Sequence, residues 1–313
     1  MSETFQHALI TGGAGFIGSH LARSLVSDGM SVTVIDDLSV GSRDNLPDGV
    51  RFVEGDIRDG SAMREALTGV DVVFHLAAKV SIRASVDTFK DDADVNLMGT
   101  LSLIEALEGS QVKRVVLASS MAVYPDMPAP NPISEDTPLA PLSPYGTGKM
   151  AAEVYLAQMS EAMGFDPVIL RFFNVYGPGQ TFTPYVGVIT IFATKLLAGE
   201  APTIFGDGEQ VRDFVFVGDI VQGLVKAMAR GKSGAVYNIG SGQGRSVNDV
   251  ARVVCGALAP QIAPVYEDVH RIETRNSVAD ISRAQSELGF DPEADFDTAI
   301  LQVLEEIRAK SGA

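Results

Sequence analysis

The sequence has 313 residues, enough for two domains or one elaborated α/β unit, and its 46% hydrophobic and 20% charged residues are typical of a folded globular protein. A net charge of −16 argues against nucleic acid as a partner, because phosphate backbones need a basic face, although a few local cations can still bind a small anion. The single cysteine, Cys255, excludes an internal disulfide framework and indicates a reducing compartment. With a polar start and no apolar run of about 20 residues, we expect a cytoplasmic protein that does not span a membrane.

A short apolar segment at His7–Thr11 is followed by a glycine-rich turn and then by a helical pattern. The turn has the Gly-x-Gly-x-x-Gly spacing over residues 13–18 that is typical of dinucleotide-binding folds. Its first glycines permit a tight turn, the middle one lets the backbone approach a pyrophosphate, and the last lets the helix pack closely. We therefore predict a dinucleotide site here. The predicted cofactor contacts of this turn are Gly12, Gly15, Phe16, Ile17 and Gly18.

A second predicted strand, Ser31–Ile35, ends at Asp36. A carboxylate at this position can accept hydrogen bonds from both ribose hydroxyls and would repel a 2′-phosphate, which favours NAD over NADP. Arg43 in the following loop is the one feature that would suit NADP. The alternative role for Asp36 is to cap the turn that follows it.

The next two predicted strands also end in residues suited to a cofactor. Residues 51–57 read as a third strand that ends in an acid, with Asp56 and the following Ile57 as adenine contacts. Residues 71–78 read as a fourth strand, with small residues where the backbone must run close to a cofactor. The predicted contacts there are Leu76, Ala77 and Ala78. Helical patterns at Met63–Leu67 and Thr88–Leu107 alternate with these strands, which predicts a Rossmann-like, doubly wound parallel sheet.

A fifth strand, Arg114–Ala118, runs into Ser119 and Ser120. In an open α/β sheet, ligands bind outside the carboxyl ends of the strands, so a hydroxyl here can hydrogen-bond a reacting oxygen. The alternative is a loop serine that bonds the local backbone.

Tyr145 and Lys149 stand four residues apart, which places both side chains on one face of a helix. A phenol has an ordinary pKa of about 10, and an ammonium beside it favours the phenolate and lowers that pKa. The pair therefore suits a general base. The alternative is a packed aromatic ring and a solvated lysine, because helices carry such pairs by chance.

The second half begins with a sixth strand that enters a glycine- and proline-rich loop near Pro178. We expect helices at Val188–Leu197 and Val247–Leu258, and we expect a helix over 219–228 and a strand over 235–239 to return to the cofactor domain. The predicted division is a cofactor domain of residues 1–173 plus about 214–240, and a smaller substrate domain of residues 174–213 and 241–313.

Several motifs occur here in one order: Thr-Gly-Gly-Ala-Gly-Phe-Ile-Gly, His-Leu-Ala-Ala, Ser-Ser-x-Ala-Val-Tyr and Ser-Pro-Tyr-Gly-x-x-Lys. Together they resemble the extended short-chain dehydrogenase/reductases of the NAD-dependent sugar epimerase/dehydratase type, over nearly the whole chain. The resemblance implies that Tyr145 is the general base, that Lys149 is its partner and bonds the nicotinamide ribose, and that Ser120 is the aligned catalytic hydroxyl. It also implies cofactor contacts from Lys79, Asn96 and Phe173. Substrate diphosphate contacts are implied for Asn174, Arg212 and one of Arg271 and Arg275, with Arg275 favoured.

One departure narrows the expected reaction. Dehydratases of this family follow their threonine with an Asp-Glu pair, whereas this chain has Met121 and Ala122, which cannot transfer protons. The resemblance therefore implies an NAD-dependent nucleotide-sugar 4-epimerase of the UDP-glucose/UDP-galactose type, without a metal. The alternatives are a UDP-N-acetylhexosamine or UDP-glucuronate epimerase, an NDP-4-ketosugar reductase and a non-catalytic NAD-binding protein. The family resemblance also implies a homodimer formed through the helices at Thr88–Leu107 and Tyr145–Met163.

Overall fold

The computed structural model describes residues 4–127, 131–180, 187–268 and 274–311. The described strands are β1 (His7–Thr11), β2 (Ser31–Asp36), β3 (Arg51–Glu54), β4 (Val72–His75), β5 (Arg114–Ser120), β6 (Asp166–Phe172), β7 (Asn174–Tyr176), β8 (Thr203–Phe205), β9 (Val211–Phe216), β10 (Val236–Ile239), β11 (Gly244–Ser246), β12 (Val265–Glu267) and β13 (Asn276–Ser277). The described α-helices are α1 (Phe16–Ser27), α2 (Gly60–Ala66), α3 (Ile82–Asp87), α4 (Phe89–Ala93), α5 (Gly99–Ala106), α6 (Pro144–Met163), α7 (Val188–Leu197), α8 (Val217–Arg230), α9 (Val247–Leu258), α10 (Ser282–Leu288) and α11 (Phe296–Ser311).

Seven strands form one parallel sheet in the order β10-β6-β5-β4-β1-β2-β3. The strand order reverses between β1 and β4, and such a switch point opens a crevice at the carboxyl ends of the strands. The glycine turn follows β1, and Ser120 ends β5, so both predicted motifs lie at this edge. The predicted doubly wound, Rossmann-like fold is confirmed.

The sheet is covered on both faces because neighbouring side chains of each strand point in opposite directions. In β1, Ile10 joins a core that includes Leu21 of α1 and Leu224 of α8. Its neighbour Leu9 joins the opposite core, with Leu156 of α6. This alternation fixes α6, the helix that carries the predicted catalytic pair, on one face of the sheet beside β5.

A smaller assembly follows the sixth strand. β9 pairs with β7, β11 and β13, and β8 pairs with β12. A third hydrophobic core lies among α7, α9 and α11, with Phe192, Val254 and Ile300 buried in it. β10 pairs with β6 in the large sheet and α8 packs against α1, as expected for these two elements. The division into two domains at the stated boundaries stays a prediction.

Several local predictions differ from the structure. The predicted fourth strand, residues 71–78, spans only Val72–His75. β3 ends at Glu54 rather than at residue 57, and Asp56 instead accepts hydrogen bonds from the backbone and guanidinium of Arg58. The predicted single helix at Thr88–Leu107 begins with α4 and ends with α5, but a π-helical turn, Asp94–Met98, separates them. Among the helices that the structure describes, none combines the length and the apolarity needed to cross a bilayer.

Candidate active site

The start of α6 places Tyr145 in the first turn of the helix. Ser143 is the N-cap, because its hydroxyl accepts the backbone N–H of Gly146 at 3.1 Å, and Pro144 occupies the first helical position. The backbone N–H of Tyr145 itself donates to Ser85 Oγ of α3 at 3.3 Å. The Ser-Pro-Tyr segment therefore begins the helix at a fixed residue and orients the phenol.

Gly146 brings this first turn against the end of β5. A Cβ atom placed on Gly146 would lie 2.9 Å from the carbonyl carbon of Ala122 and 2.9 Å from Pro141 Cβ. Atoms that close cannot coexist without movement of the backbone. Only a residue without a side chain allows α6 to sit directly on the turn that follows Ser120.

One face of α6 then makes three successive contacts with β5. The Tyr145 phenol hydrogen-bonds Ser120, Lys149 Nζ donates to the Ala118 carbonyl at 2.9 Å, and Glu153 accepts the hydroxyl hydrogen of Ser119. These three helix residues follow one another at intervals of four, which keeps them on one face. The structure therefore brings together the three predicted catalytic residues, Tyr145, Lys149 and Ser120.

The electrostatics of the pair differ from the expectation that Lys149 lowers the pKa of Tyr145. Burial raises the pKa of Tyr145 to about 12, and the Ser120 hydrogen bond acts in the opposite direction. Burial also lowers the pKa of Lys149 to about 8, against the influence of Asp92 and Glu153. The ammonium of Lys149 donates to the Ala118 carbonyl. In the chain alone, the loss of hydration is therefore the largest influence on the pKa of the phenol.

A buried ion pair supports this face of α6. Arg171 of β6 donates to both oxygens of Glu153, at 3.0 and 2.7 Å, and both side chains are 5% exposed. The same guanidinium donates to Tyr124 OH at 2.8 Å, and Tyr124 donates to Asn238 of β10. The hydrogen bonds satisfy both charges, so α6 is locked to β5, β6 and β10 beneath the reacting groups.

The glycine turn has the shape that a dinucleotide requires. Gly12 has φ +67°, and a Cβ there would lie 2.8 Å from Cα of Ala77. A Cβ on Gly18 would lie 2.6 Å from Cα of Gly13, so the helix packs tightly on the turn. Gly15 differs, because a Cβ there would meet only the Gly12 carbonyl, at 3.2 Å. Gly15 is also the N-cap of α1 and caps it with no side chain, which suits a pyrophosphate.

Asp36 lies at the end of β2 beside this turn. Its carboxylate accepts the backbone N–H groups of Ala14 and Leu38, both at 2.9 Å, and burial raises its pKa. The capping role is therefore present in the structure, and the ribose role stays a prediction that the same location supports. Arg43, the residue that would suit NADP, lies 5.0 Å over the Phe52 ring.

The remaining predicted cofactor residues lie around the ends of β3 and β4. Asp56 is held by Arg58, which lowers its pKa. Ile57 is buried in the core against Gly99. The backbone N–H groups of Leu76 and Ala77 donate to Thr11 Oγ1, both at 3.1 Å. The next residue, Ala78, is half-buried.

The side chain of Asn96 fixes the backbone of Lys79, the residue that follows Ala78, through two hydrogen bonds. Asn96 Oδ1 accepts the backbone N–H of Lys79 at 3.0 Å, and Asn96 Nδ2 donates to the Lys79 carbonyl at 2.9 Å. Asn96 lies in the π-helical turn and is 1% exposed. The Lys79 side chain is half exposed and 3.9 Å from Asp91. Asn96 thus acts in this structure on the chain beside the crevice.

The predicted substrate residues lie on or beside β9. Asn174 Nδ2 donates to the Asp213 carbonyl at 3.2 Å, and the neighbouring Phe173 is buried. Arg212 donates to the Val211 carbonyl at 2.9 Å. Arg275 forms a two-point ion pair with Asp207, at 2.7 and 2.9 Å. The competing Arg271 lies outside the described residues. Within the described ranges, no group of three His, Cys, Asp or Glu side chains could hold a metal ion.

A family model described as the NAD dependent epimerase/dehydratase family matches residues 8–240. The chain belongs to that family. It is 38% identical to the UDP-glucose 4-epimerase of Mycolicibacterium smegmatis, over 97% of this chain and 99% of that protein. A solved UDP-glucose 4-epimerase of Thermotoga maritima with UDP-glucose superposes with a TM-score of 0.93, at 35% identity over 98% of this chain and 100% of that one. The Thermus thermophilus enzyme in complex with NAD gives 0.90, at 34% identity over 97% and 99%.

Family members similar to this chain differ in the sugar named. A UDP-N-acetylglucosamine 4-epimerase of Methanobrevibacter ruminantium has a TM-score of 0.92, at 33% identity over 98% of this chain and 100% of that one. A UDP-glucuronic acid 4-epimerase of Bacillus cereus has 0.90, at 29% identity over 97% and 100%. The predictions of the family, of an enzyme of the epimerase type and of NAD as cofactor are confirmed.

Three residues beside the catalytic pair were missed by reasoning from the sequence. Glu153 had a signal, because it continues the four-residue spacing from Lys149. Ser85 and Asp92 had none, since each reaches α6 through packing between helices far apart in the sequence.

Proposed function

We propose that this chain is an NAD-dependent nucleotide-sugar 4-epimerase of the UDP-glucose/UDP-galactose type. The observation that carries the proposal is the meeting of Tyr145, Ser120 and Lys149 at the carboxyl end of β5, beside a glycine turn suited to NAD. NAD held at the glycine turn would supply a reversible hydride acceptor for the sugar C4.

Tyr145 accepts the proton of the sugar O4 while C4 gives up its hydride, and it returns that proton when the hydride comes back. Ser120 shares the hydrogen bond to the reacting oxygen. Because C4 is planar in the 4-keto state, return of the hydride to its opposite face inverts the configuration. No atom is gained or lost, so the reaction is an isomerisation.

Burial keeps the Tyr145 phenol protonated at neutral pH in the chain alone, with its pKa at about 12. Such a base must be activated by positive charge brought into the site. Lys149 is one cation of this site, and oxidised NAD, when bound, would add the positive charge of its nicotinamide. We therefore expect Tyr145 to act as a base only in the oxidised complex, which ties proton removal to the presence of a hydride acceptor.

The residues after Ser120 argue against elimination. Met121 and Ala122 form a short 3₁₀ turn, and neither side chain can donate or accept a proton. A dehydratase needs a further acid and base to remove water from the 4-keto sugar. Tyr145 is then the evident proton acceptor at the described crevice, which supports epimerisation.

Asn174 and Arg212 are proposed to anchor the diphosphate, so that the sugar can turn while the nucleotide stays bound. Arg212 is suited to this role because a guanidinium binds phosphate oxygens at two points. Arg275 is held by Asp207, whose pKa this pairing lowers to about 2. Arg275 can bind phosphate only if it exchanges that carboxylate for the ligand.

The main alternative, an NDP-4-ketosugar reductase, would consume external NADH. A panel of UDP-glucose, UDP-N-acetylglucosamine and UDP-glucuronate, with chromatographic separation of the products, tests the proposal. We expect the 4-epimer of UDP-glucose to form without net change in absorbance at 340 nm. Stoichiometric consumption of NADH with a ketosugar would favour the reductase. Conversion of another UDP-sugar but not of UDP-glucose would identify that other sugar as the substrate.

Tyr145→Phe separates an enzyme from a non-catalytic NAD-binding protein. We expect turnover to fall by about 10²–10⁴-fold, as loss of a general base requires, while NAD binding and the unfolding temperature remain close to those of the wild type. Equal activity of the variant and the wild type would remove Tyr145 from the reaction.

A further inference from the structure

Asp92 is a buried carboxylate on a short helix that packs against the catalytic helix. It lies in α4, is 1% exposed, and its Oδ2 atom has no hydrogen-bond partner among the described residues. Buried acids are nearly always paired, because an isolated charge loses its hydration without compensation. An orphaned carboxylate oxygen therefore needs a reason, and the groups around it supply one.

α4 packs against α6 at Gly148, the residue immediately before Lys149. A Cβ placed on Gly148 would lie 3.8 Å from Asp92 Oδ2 and 3.6 Å from Asn96 Cβ. The glycine thus presents no side chain between the carboxylate and the backbone of the catalytic helix. Asp92 therefore lies against α6 at the residue that precedes Lys149.

Lys149 is the natural electrostatic counterpart of this carboxylate. Lys149 as a whole is 3% exposed, and its ammonium has three N–H groups, of which the described contacts use one, to Ala118. No direct ion pair joins the two charges in the described part of the chain, yet each acts on the other. Asp92 opposes the fall in the pKa of Lys149, and Lys149 opposes the rise in the pKa of Asp92.

The other charged and titratable groups that face this pair come from three elements. Glu153 on α6 also favours the ammonium, but Arg171 of β6 neutralises it through two hydrogen bonds. His75 at the end of β4 is neutral, because burial lowers its pKa to about 3. The positive charge of Lys79, whose backbone Asn96 binds, favours the Asp92 carboxylate and opposes the rise in its pKa. Asp92 is therefore the facing carboxylate whose charge no direct ion pair offsets in the described part of the chain.

We propose that Asp92 is a positioning residue for the Tyr145–Lys149 pair. Its carboxylate is buried and its Oδ2 atom has no hydrogen-bond partner among the described residues, and its charge keeps Lys149 an ammonium. The same negative charge disfavours the Tyr145 phenolate, because it raises the pKa of the phenol. Asp92 therefore acts on both members of the pair, in favour of the ammonium and against the phenolate.

The direct test is the titration of Lys149, followed by the chemical shift of its ¹³Cε in lysine-labelled protein and assigned by its loss in Lys149→Met. In Asp92→Asn we expect the midpoint to fall by about one pH unit relative to the wild type, as loss of a nearby opposite charge requires. Asp91→Asn is the matched control: it removes the same charge from the adjacent residue, whose side chain is 69% exposed, and should leave the midpoint unchanged. An unchanged midpoint in Asp92→Asn would overturn the proposal.

A reciprocal measurement covers the case in which Asp92→Asn does not fold. The Asp92 ¹³Cγ resonance should titrate at higher pH in Lys149→Met than in the wild type, and equal midpoints would contradict the proposed coupling. Neither titration requires turnover, so they stand apart from the proposed function. In the epimerase assay, which rests on that function, both limbs of the pH profile of kcat should move to lower pH in Asp92→Asn. A purely structural role would lower the unfolding temperature and leave both limbs in place.

Discussion

Asp36 combines two roles at the residue scale, because it caps the turn after β2 and lies where the adenosine ribose is predicted. Replacement by Asn keeps the size and one acceptor oxygen but removes the charge. We expect Asp36→Asn to weaken NAD binding by about 10-fold or more, the effect of losing hydrogen bonds to a charged group. Discrimination against NADP should shrink, because the repulsion of the 2′-phosphate is lost. Calorimetric titration with both cofactors measures the two effects.

Asp37→Asn is the matched control for this change. Asp37 is adjacent and exposed, and in the described structure its carboxylate accepts only from Ser39. Its replacement should leave both affinities unchanged. Equal NAD affinity in Asp36→Asn and Asp37→Asn would show that Asp36 serves the turn alone.

The residues whose roles depend on local pattern could be predicted from the sequence, and those that depend on packing could not. The glycine spacing and the Tyr145–Lys149 interval both led to residues that the structure brings to one crevice. The pKa of Tyr145 was expected to fall, yet burial raises it, because desolvation depends on every element packed around the phenol. Asp92 carried no local signal for the same reason.

At the scale of elements, the position of α6 on the end of β5 depends on Gly146. In Gly146→Ala, the new Cβ would meet the Ala122 carbonyl and Pro141, so the first turn of α6 must move. We expect turnover to fall by at least about 10-fold, because a displacement of a catalytic group by about 1 Å can lower the rate by about 10²-fold. Chemical denaturation should show a loss of about 1–3 kcal/mol, typical of overpacking.

Gly256 in α9 offers the matched substitution. No atom lies within 4 Å of a Cβ added there, and the residue is helical. Gly256→Ala should therefore raise stability by about 0.5–1 kcal/mol through helix propensity and leave turnover unchanged. Wild-type turnover in Gly146→Ala would contradict the close approach of α6 to this turn.

Element boundaries were predictable where one face of a helix is apolar throughout. α7 and α9 begin and end at the predicted residues. The segment at Thr88–Leu107 was not predicted in full, since the π-helical turn within it contains Asn96, whose amide bonds the distant Lys79 backbone. Periodicity in the sequence carries no information about such a contact.

At the scale of the whole molecule, large hydrophobic side chains are exposed on α6 and on the neighbouring segments that flank it. We propose that a second copy of the chain covers them, because α6 packs against the elements that carry Phe89 and Met98, and because exposed large apolar side chains are stabilised by burial in an interface. The exposed side chains are Phe89, Met98, Val154 and Tyr155, at 54%, 49%, 47% and 44%.

Sedimentation velocity tests this dimer. The wild type should sediment at twice the 33.1 kDa mass of the chain. The double variant Val154→Lys, Tyr155→Lys should sediment as a monomer, because a dimer would have to bury four additional positive charges in its apolar interface. Leu301→Lys on α11, where the side chain is 43% exposed, should remain dimeric. A monomeric wild type would contradict the proposal.

In the proposed reaction, the hydride removed from C4 returns to the same carbon atom. UDP-glucose deuterated at C4 tests it most directly when the product is separated and analysed by mass spectrometry and NMR. We predict a 4-epimer that retains deuterium at C4. Free NADH should contain no deuterium, and the absorbance at 340 nm should show no net change. Loss of the label to solvent, or its appearance in released NADH, would contradict it.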